Sequence, residues 1–503
     1  MSAAHERPAG EKRFGLDGQL MYLRKAVFIL FGCVLGARAH VAPLNILLFT
    51  ADDLGYENVG CFGGKPGDVT PNIDRFASEG MRFERAHVTS AICMPSRVVL
   101  GTGLYPHSSG AIGPGFMHCR EETPSVVDVF REAGYRTGVI GKLMHSSPKK
   151  SDGTKWDYAY DRERLGDGRD PELYYQRTRQ FLKGCQAKQL PFYLMVNSHD
   201  PHRPFHNPIR AMPSWATPSR LYRPDEVVVP GYLPDLPGVR AEYSWYLNSV
   251  RRLDDTFKRV MDALEESGEA KNTLVAFFSD NGSSFPFAKC NCYLMSTRTP
   301  LIVRWPGVVK PGSVNASDFV SGVDFLSTIC AAAGVVPPEY QDGASFVPLL
   351  KGEKQAGRDW VFTQIDGKAG GENDMNPTPM RAVQNARYGY VFNPWSDGQR
   401  VYSNNNQGET FRAMLQAGHT DASVLERVNM FRMRAVEELY DLERDPDCLI
   451  NLIDNPEYKE MAEALRAKAR SQMARTGDPM LEVFDMRDDP TARRARLDQV
   501  YGQ

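Results

Sequence analysis

Cys93-Met94-Pro95-Ser96-Arg97, followed by Leu100-Gly101-Thr102-Gly103, is a cysteine set in an unusual frame. Proline is tolerated in the first turn of a helix, so Pro95 predicts a helix that opens at Cys93. The free N–H groups and positive dipole end of such a helix favour an anion. Arg97 adds a guanidinium one turn along. Alone, the frame would read as a buried, inert thiol before a helix. It is not alone. Asp52-Asp53, then Lys142 and His145, then His199, Asp200 and His202, then Asp280-Asn281 each follow a short apolar run. Ligands of open α/β sheets bind at the carboxyl ends of strands. Four strands would therefore deliver carboxylates, an amide, Lys and His to one rim. Asp52, Asp53, Asp280 and Asn281 offer oxygen only, which suits Ca²⁺ or Mg²⁺. Zinc would call for His or Cys among the ligands.

The elements that must position these residues are legible as alternating buried strands and amphipathic helices, the pattern of an α/β fold. Strands are predicted at Asn45–Thr50, Thr137–Ile140, Phe192–Asn197, Leu274–Ser279 and Leu301–Arg304. Thr70-Pro71 opens a helix that Gly80 closes, and another runs from Val126 to Ala133 before Gly134. The longest helix spans about Arg240 to Ser267, with Tyr243, Tyr246, Val250, Phe257, Val260 and Leu264 on one face. Beyond Pro337-Pro338 come short strands at Tyr388–Asn393 and Leu439–Leu442 and a charged helix from about Pro456 to Arg475. The expected organisation is a catalytic α/β domain over residues 40–350, a smaller α+β domain over 351–485, and a charged tail, extended or frayed, over 486–503.

The 503 residues carry a formal net charge of −2, which excludes a polycation that coats nucleic acid. Arg24-Lys25, the apolar run Ala26–Leu35 and Ala37-Arg38-Ala39 read as a secretory signal peptide over residues 1–39. That predicts a secreted or periplasmic protein with no stable membrane association after cleavage. An uncleaved anchor, or a lipoprotein signal at Leu30-Phe31-Gly32-Cys33, stays open. The eight cysteines that follow the signal fit no disulfide framework.

The Cys93 motif, with Asn45–Asp53, Thr70–Phe76, Gly141-Lys142, Ser198–Arg203 and Ser279–Gly282, resembles the type I formylglycine-dependent sulfatases of the alkaline-phosphatase-like superfamily. His199-Asp200-Pro201-His202-Arg203, Pro224–Pro234, Phe285-Pro286, Pro379-Met380-Arg381, Glu438–Leu442 with Asp445-Pro446, and Asp478-Pro479 are similar to the sulfamidases (N-sulfoglucosamine sulfohydrolases) in particular. The resemblance implies a mixed central sheet flanked by helices, with a smaller C-terminal α+β domain. It implies that a formylglycine-generating enzyme oxidises Cys93 to an aldehyde, whose hydrate attacks sulfur beside one bound Ca²⁺ or Mg²⁺. Asp52, Asp53, Asp280 and Asn281, with the modified Cys93, would hold the ion, and Arg97 would steady the nucleophile. Lys142 and Lys289 would bind sulfate oxygens. His199 would protonate the leaving group, and His145 would act on the second hydroxyl. His202, Arg203 and Arg381 are candidates for reading an anionic sugar, N-sulfoglucosamine of the glycosaminoglycan type leading.

Two departures keep the substrate open. Lys142-Leu143-Met144-His145 has two residues between Lys and His, as in iduronate-2-sulfatases, where sulfamidases have one. Lys289 stands near a position where sulfamidases carry Arg. A phosphatase or phosphodiesterase of the same fold would need Ser or Thr as nucleophile and histidine-rich zinc sites. A non-catalytic sugar-binding relative would have lost Cys93, Arg97 or the carboxylates. An O-sulfatase acting on another polysaccharide remains a third reading.

Overall fold

The computed structural model describes residues 42–112, 118–150, 154–210, 212–366 and 377–501. The expected signal peptide, with Cys33, lies outside the described residues. Residues from Leu44 onward form one compact unit.

The strands are β1 (Asn45–Asp52), β2 (Met81–Phe83), β3 (Ala86–His87), β4 (Arg136–Ile140), β5 (Tyr158–Tyr160), β6 (Phe192–Pro201), β7 (Thr273–Ser279), β8 (Leu301–Arg304), β9 (Ser313–Asn315), β10 (Val320–Ser321), β11 (Trp360–Ile365), β12 (Met380–Asn385), β13 (Tyr388–Phe392) and β14 (Glu437–Asp441). Eight of them make the central sheet in the order β5-β4-β6-β1-β7-β8-β2-β9. The run from β5 to β7 is parallel, and β8 pairs antiparallel with both β7 and β2. Every residue of β1 is buried, as a central strand covered on both faces requires.

Because β4, β6, β1 and β7 are parallel neighbours, their carboxyl ends lie side by side. That arrangement brings the four polar groups onto one rim. One strand is longer than its apolar run suggested. β6 continues through Ser198, His199, Asp200 and Pro201, and Asp52 pairs with Pro201 after a register shift at the end of β1. His199 and Asp200 therefore sit on the strand itself.

Helices α1 (Pro71–Glu79), α2 (Cys93–Thr102), α3 (Val126–Glu132), α4 (Pro171–Lys188), α5 (Pro237–Ser267), α6 (Phe325–Ala333), α7 (Lys459–Thr476) and α8 (Pro490–Tyr501) accompany the sheets. Phe257 of α5 meets Phe49 of β1 and Phe76 of α1, each with ring centroids 5.1 Å apart, which locks the longest helix across the central strand. The second sheet, antiparallel β11-β12-β13-β14, shares one hydrophobic core with the first. The tail expected to be extended or frayed is instead helix α8. Its Leu497 and Arg493 are buried, and Arg493 donates to Pro394 O and Ser396 O at 3.2 and 3.0 Å.

Candidate active site

Cys93 opens α2 as the motif predicts, and all of α2 is buried. Its thiol lies 3.7 Å from Asp53 Oδ1 and accepts from Lys289 Nζ at 3.2 Å. Burial and the nearby Asp52 carboxylate push the Cys93 thiol well above its ordinary range, against the pull of Lys289. A protonated thiol is a poor nucleophile. The frame of Cys93 is thus built for an anion while its thiol is held inert.

Arg97 is fully buried, and every arm of its guanidinium is engaged. Nε donates to Asp280 Oδ2 at 2.9 Å, one terminal nitrogen donates to both Thr50 Oγ1 and Asn197 Oδ1 at 2.6 Å, and the other lies 2.7 Å from Asp280 Oδ2. Arg97 thereby ties α2 to the ends of β1, β6 and β7. Burial raises Asp280 to about 7 even though Arg97 opposes the shift, and the neighbouring Asp52 and Asp53 add to it.

Asp52 ends β1, and Asp53 follows in the left-handed region at φ 71°. Asp53 N–H donates to Asp280 Oδ1 at 3.1 Å, and Asp53 Oδ1 accepts from Asn281 Nδ2 at 2.7 Å and Lys289 Nζ at 2.5 Å. Asp52 is ion-paired to Lys142, which is itself left-handed at φ 50°. Burial opposes ionisation of both aspartates, yet Lys142 holds Asp52, and Lys289 holds Asp53, below the usual carboxylate range. Asp52 Oδ1, Asp53 Oδ2 and Asn281 Oδ1 are buried without a hydrogen-bond partner. Buried acceptors without donors are costly. Convergent orphaned oxygens fit a hard divalent cation. Asp52, Asp53, Cys93 and His202 each place a potential ligand atom within 4.8 Å of the others. Asp280 spends both oxygens on Arg97 and Asp53 N–H, so it borders the site with one oxygen already bonded to each. Three carboxylates (Asp52, Asp53, Asp280) face three cations (Arg97, Lys142, Lys289). Adding a divalent cation would leave the site positive, which suits a sulfate.

The family model for sulfatases matches residues 44–335. The chain belongs to the sulfatase family. A second model, for the C-terminal part of N-sulphoglucosamine sulphohydrolase, matches residues 283–389. Human N-sulphoglucosamine sulphohydrolase is 30% identical over 477 residues, covering 87% of this chain and 91% of that one. An ulvan-active sulfatase of Formosa agariphila is 28% identical, covering 87% and 81%. Among solved structures, a protein in complex with its substrate D-glucosamine-2-N,6-O-disulfate superposes with a TM-score of 0.64 at 19% identity, covering 87% of this chain and 98% of that chain. A phosphonate monoester hydrolase of Agrobacterium radiobacter does so at 0.63 and 18%, covering 86% and 96%. At such identity both show the fold alone: a mixed central sheet with flanking helices and a C-terminal antiparallel sheet. As a sulfatase the chain is a hydrolase.

Within this sulfatase site the histidines differ in access. His199 is 7% exposed, its Nδ1 has no partner, and Gly168 packs so closely on its ring that a Cβ there would come within 2.0 Å of Nδ1. The His202 side chain is 37% exposed, and its Nε2 lies 3.9 Å from Asp53 Oδ2. It is the histidine that joins Cys93 and the carboxylates in one cluster. Sequence reasoning placed it among the sugar readers. The S-H-D-P-H spacing named both histidines, and the fold sets His202 beside Cys93 and Asp53 while burying most of His199. Burial lowers His145 to about 3, and Lys142 adds to the shift. Burial also lowers His199 and His202, which leaves all three imidazoles neutral near pH 7.

Two expected sugar readers have other work. Arg381 is 0% exposed. Its guanidinium donates to Asp478, Asp366, Ile365 O and Met380 O, so it has no donor to give a substrate. Arg203 donates to Ser284 O at 3.1 and 3.2 Å, pairs with Glu242 at 2.5 Å and stacks on Phe205. It fastens the Lys289 loop to α5. All eight cysteines among the described residues are free thiols.

Proposed function

We propose that the chain is a formylglycine-dependent sulfatase that removes sulfate from a sulfated saccharide, with N-sulfoglucosamine the leading substrate. The observation that carries this reading is the buried Cys93 at the start of α2, flanked by Lys289, Asp53 and a fully engaged Arg97. The similarity to human N-sulphoglucosamine sulphohydrolase supports the substrate. Asp52, Asp53, Asp280 and Asn281 would hold one Ca²⁺ or Mg²⁺, which supplies charge neutralisation for the nucleophile and the sulfate. Hydrated by water, a formylglycine at position 93 would supply one hydroxyl to attack sulfur and displace the sugar amine or alcohol, and a second whose deprotonation expels sulfate as the aldehyde re-forms.

The remaining roles follow from position. Lys289 beside the thiol and Lys142 paired to Asp52 steady the sulfate oxygens as charge builds on them. Arg97 fixes the start of α2 against β1 and β7. In-line displacement puts the leaving group on the side of sulfur away from the nucleophile. His202, the more exposed of the two histidines, is the one open to an arriving substrate, and on that ground it takes the leaving-group acid role first expected of His199. An arriving sulfate raises the proton affinity of His202. His145, beside Lys142, is a neutral imidazole able to accept the proton of the second hydroxyl.

The expected setting is secreted or periplasmic. No helix among the described residues is long and apolar enough to cross a membrane.

The test is sulfate release by the full chain co-produced with a formylglycine-generating enzyme. Release from N-sulfoglucosamine, abolished in Cys93→Ala, is the expected result. Release from an iduronate-2-sulfate disaccharide alone would follow the Lys142–His145 spacing and move the substrate while leaving the sulfatase reading intact. Full activity with an unmodified Cys93 thiol, read by peptide mass spectrometry, would overturn the nucleophile.

A further inference from the structure

Lys289 reaches the nucleophile from a segment, residues 280–293, that contains neither helix nor strand. Two non-glycine residues around it are left-handed, Phe287 at φ 71° and Cys290 at φ 57°. Such conformations persist where the surroundings over-determine them. On one side Cys290 N–H donates to Ala91 O at 2.9 Å, which ties the segment to the approach to Cys93. On the other side the ties come from residues more than a hundred positions later. Tyr402 Oη donates to Cys290 O at 2.7 Å, and Asn405 Nδ2 donates to Lys289 O at 3.1 Å. Asn405 Oδ1 also accepts from Ser284 Oγ at 3.3 Å, and Asn405 is itself left-handed at φ 56°. Asn291 Nδ2 donates to the same Lys289 carbonyl at 2.7 Å, and Arg434 holds Asn291 Oδ1 at 2.9 Å.

We infer that Tyr402 and Asn405 are positioning residues that aim Lys289 at the nucleophile by gripping the two consecutive carbonyls of Lys289 and Cys290. The inference rests on the reading of Lys289 as the cation beside the sulfate. Its geometric content is direct. The Lys289 carbonyl and the Cys290 N–H share one peptide plane, the one that leaves the Lys289 Cα, and Asn405, Asn291 and Ala91 O hold it from both edges while Tyr402 holds the plane that follows, so the chain on the C-terminal side of Lys289 is fixed in orientation. The Lys289 ammonium then falls 2.5 Å from Asp53 Oδ1 and 3.2 Å from Cys93 Sγ. The loop that follows β13 thus completes the chemistry of the central sheet.

The experiment is a double-mutant cycle on the matured, metal-loaded full chain with an aryl sulfate. Asn405→Gly keeps the left-handed backbone and removes the Asn405 bond, leaving Asn291 as the side-chain donor to the Lys289 carbonyl. Tyr402→Phe removes one hydroxyl and serves if the first variant folds poorly. Lys289→Ala should lower kcat/KM by about 10²–10³-fold, the scale of a lost transition-state donor. Each positioning variant should lower kcat/KM by about tenfold and raise the inhibition constant of inorganic sulfate in parallel. In the Lys289→Ala background each should change kcat/KM by less than about twofold, because the residue it acts through is gone. Wild-type rates in both single variants, or the same tenfold loss repeated without Lys289, would overturn the inference. An unimpaired Lys289→Ala would overturn the reading of Lys289 itself, a separate result.

Discussion

At the scale of single residues, side-chain access separates histidines that spacing could not. His199 and His202 lie three positions apart, and both approach the carboxylate cluster. Only His202 combines partial exposure with a place beside Cys93. The leaving group sets the test. An amine leaves poorly unless protonated, whereas an activated phenolate leaves unaided. His202→Ala should therefore reduce turnover on N-sulfoglucosamine by about 10²–10⁴-fold, the usual span for a lost general acid. It should cost an activated aryl sulfate far less. His199→Ala should affect the two substrates equally if His202 holds the acid role. A selective loss on the sugar in His199→Ala, with His202→Ala indifferent, would return the acid role to His199.

At the scale of elements, the strand ends position the chemistry, and the turns beyond them set its aim. Gly168 precedes α4 at φ +74°, and its carbonyl accepts the His199 N–H at 3.3 Å. His199 O in turn accepts the His202 N–H at 3.1 Å. A methyl at Gly168 would meet the His199 ring, so Gly168→Ala should displace His199 and, through it, His202. Gly134 is the matched control: its φ is +83° and nothing lies within 4 Å of the Cβ position. Both variants incur left-handed strain of about 1–2 kcal/mol. Only Gly168→Ala should also lower kcat, by about tenfold or more, as measured with thermal midpoints alongside. Equal kcat in the two variants would show that the packing of Gly168 on His199 does not aim the site. The strands that carry these turns were legible because central parallel strands are continuous apolar runs, and the polar residues ending them stand out. The ion pairs were not legible. Arg381 finds Asp478 across 97 residues, and Arg203 finds Glu242 across 39. No local pattern encodes such pairing, so the sequence left both arginines between a salt bridge and an anion reader. Helix α8 escaped for another reason: with only Arg493 and Leu497 buried, it carries almost no apolar period.

At the scale of the whole molecule, the site joins residues from Asp52 to Lys289 at the rim of the central sheet with supports as late as Arg434. The sequence announced the first set through its motifs. The second set has no motif, because backbone carbonyls accept from any donor that the fold brings near. A site assembled this way couples ligand binding to global stability. Asp52 Oδ1, Asp53 Oδ2 and Asn281 Oδ1 are buried acceptors with no donor, and Asp52 and Asp53 repel each other. A divalent cation answers both problems in the folded chain and has no preformed site in the unfolded one. Binding only to the folded state adds RT ln(1 + [M]/Kd), or about 2.7 kcal/mol at a hundredfold excess over Kd. Chelation should therefore lower the thermal midpoint, and graded addition of Ca²⁺ or Mg²⁺ should restore it along that logarithm. Asp53→Asn removes one charge from the cluster and should abolish the metal-dependent part of the shift, read by calorimetry without any substrate. A midpoint that ignores chelation in the wild-type chain, or a full metal response in Asp53→Asn, would remove the cation from these oxygens.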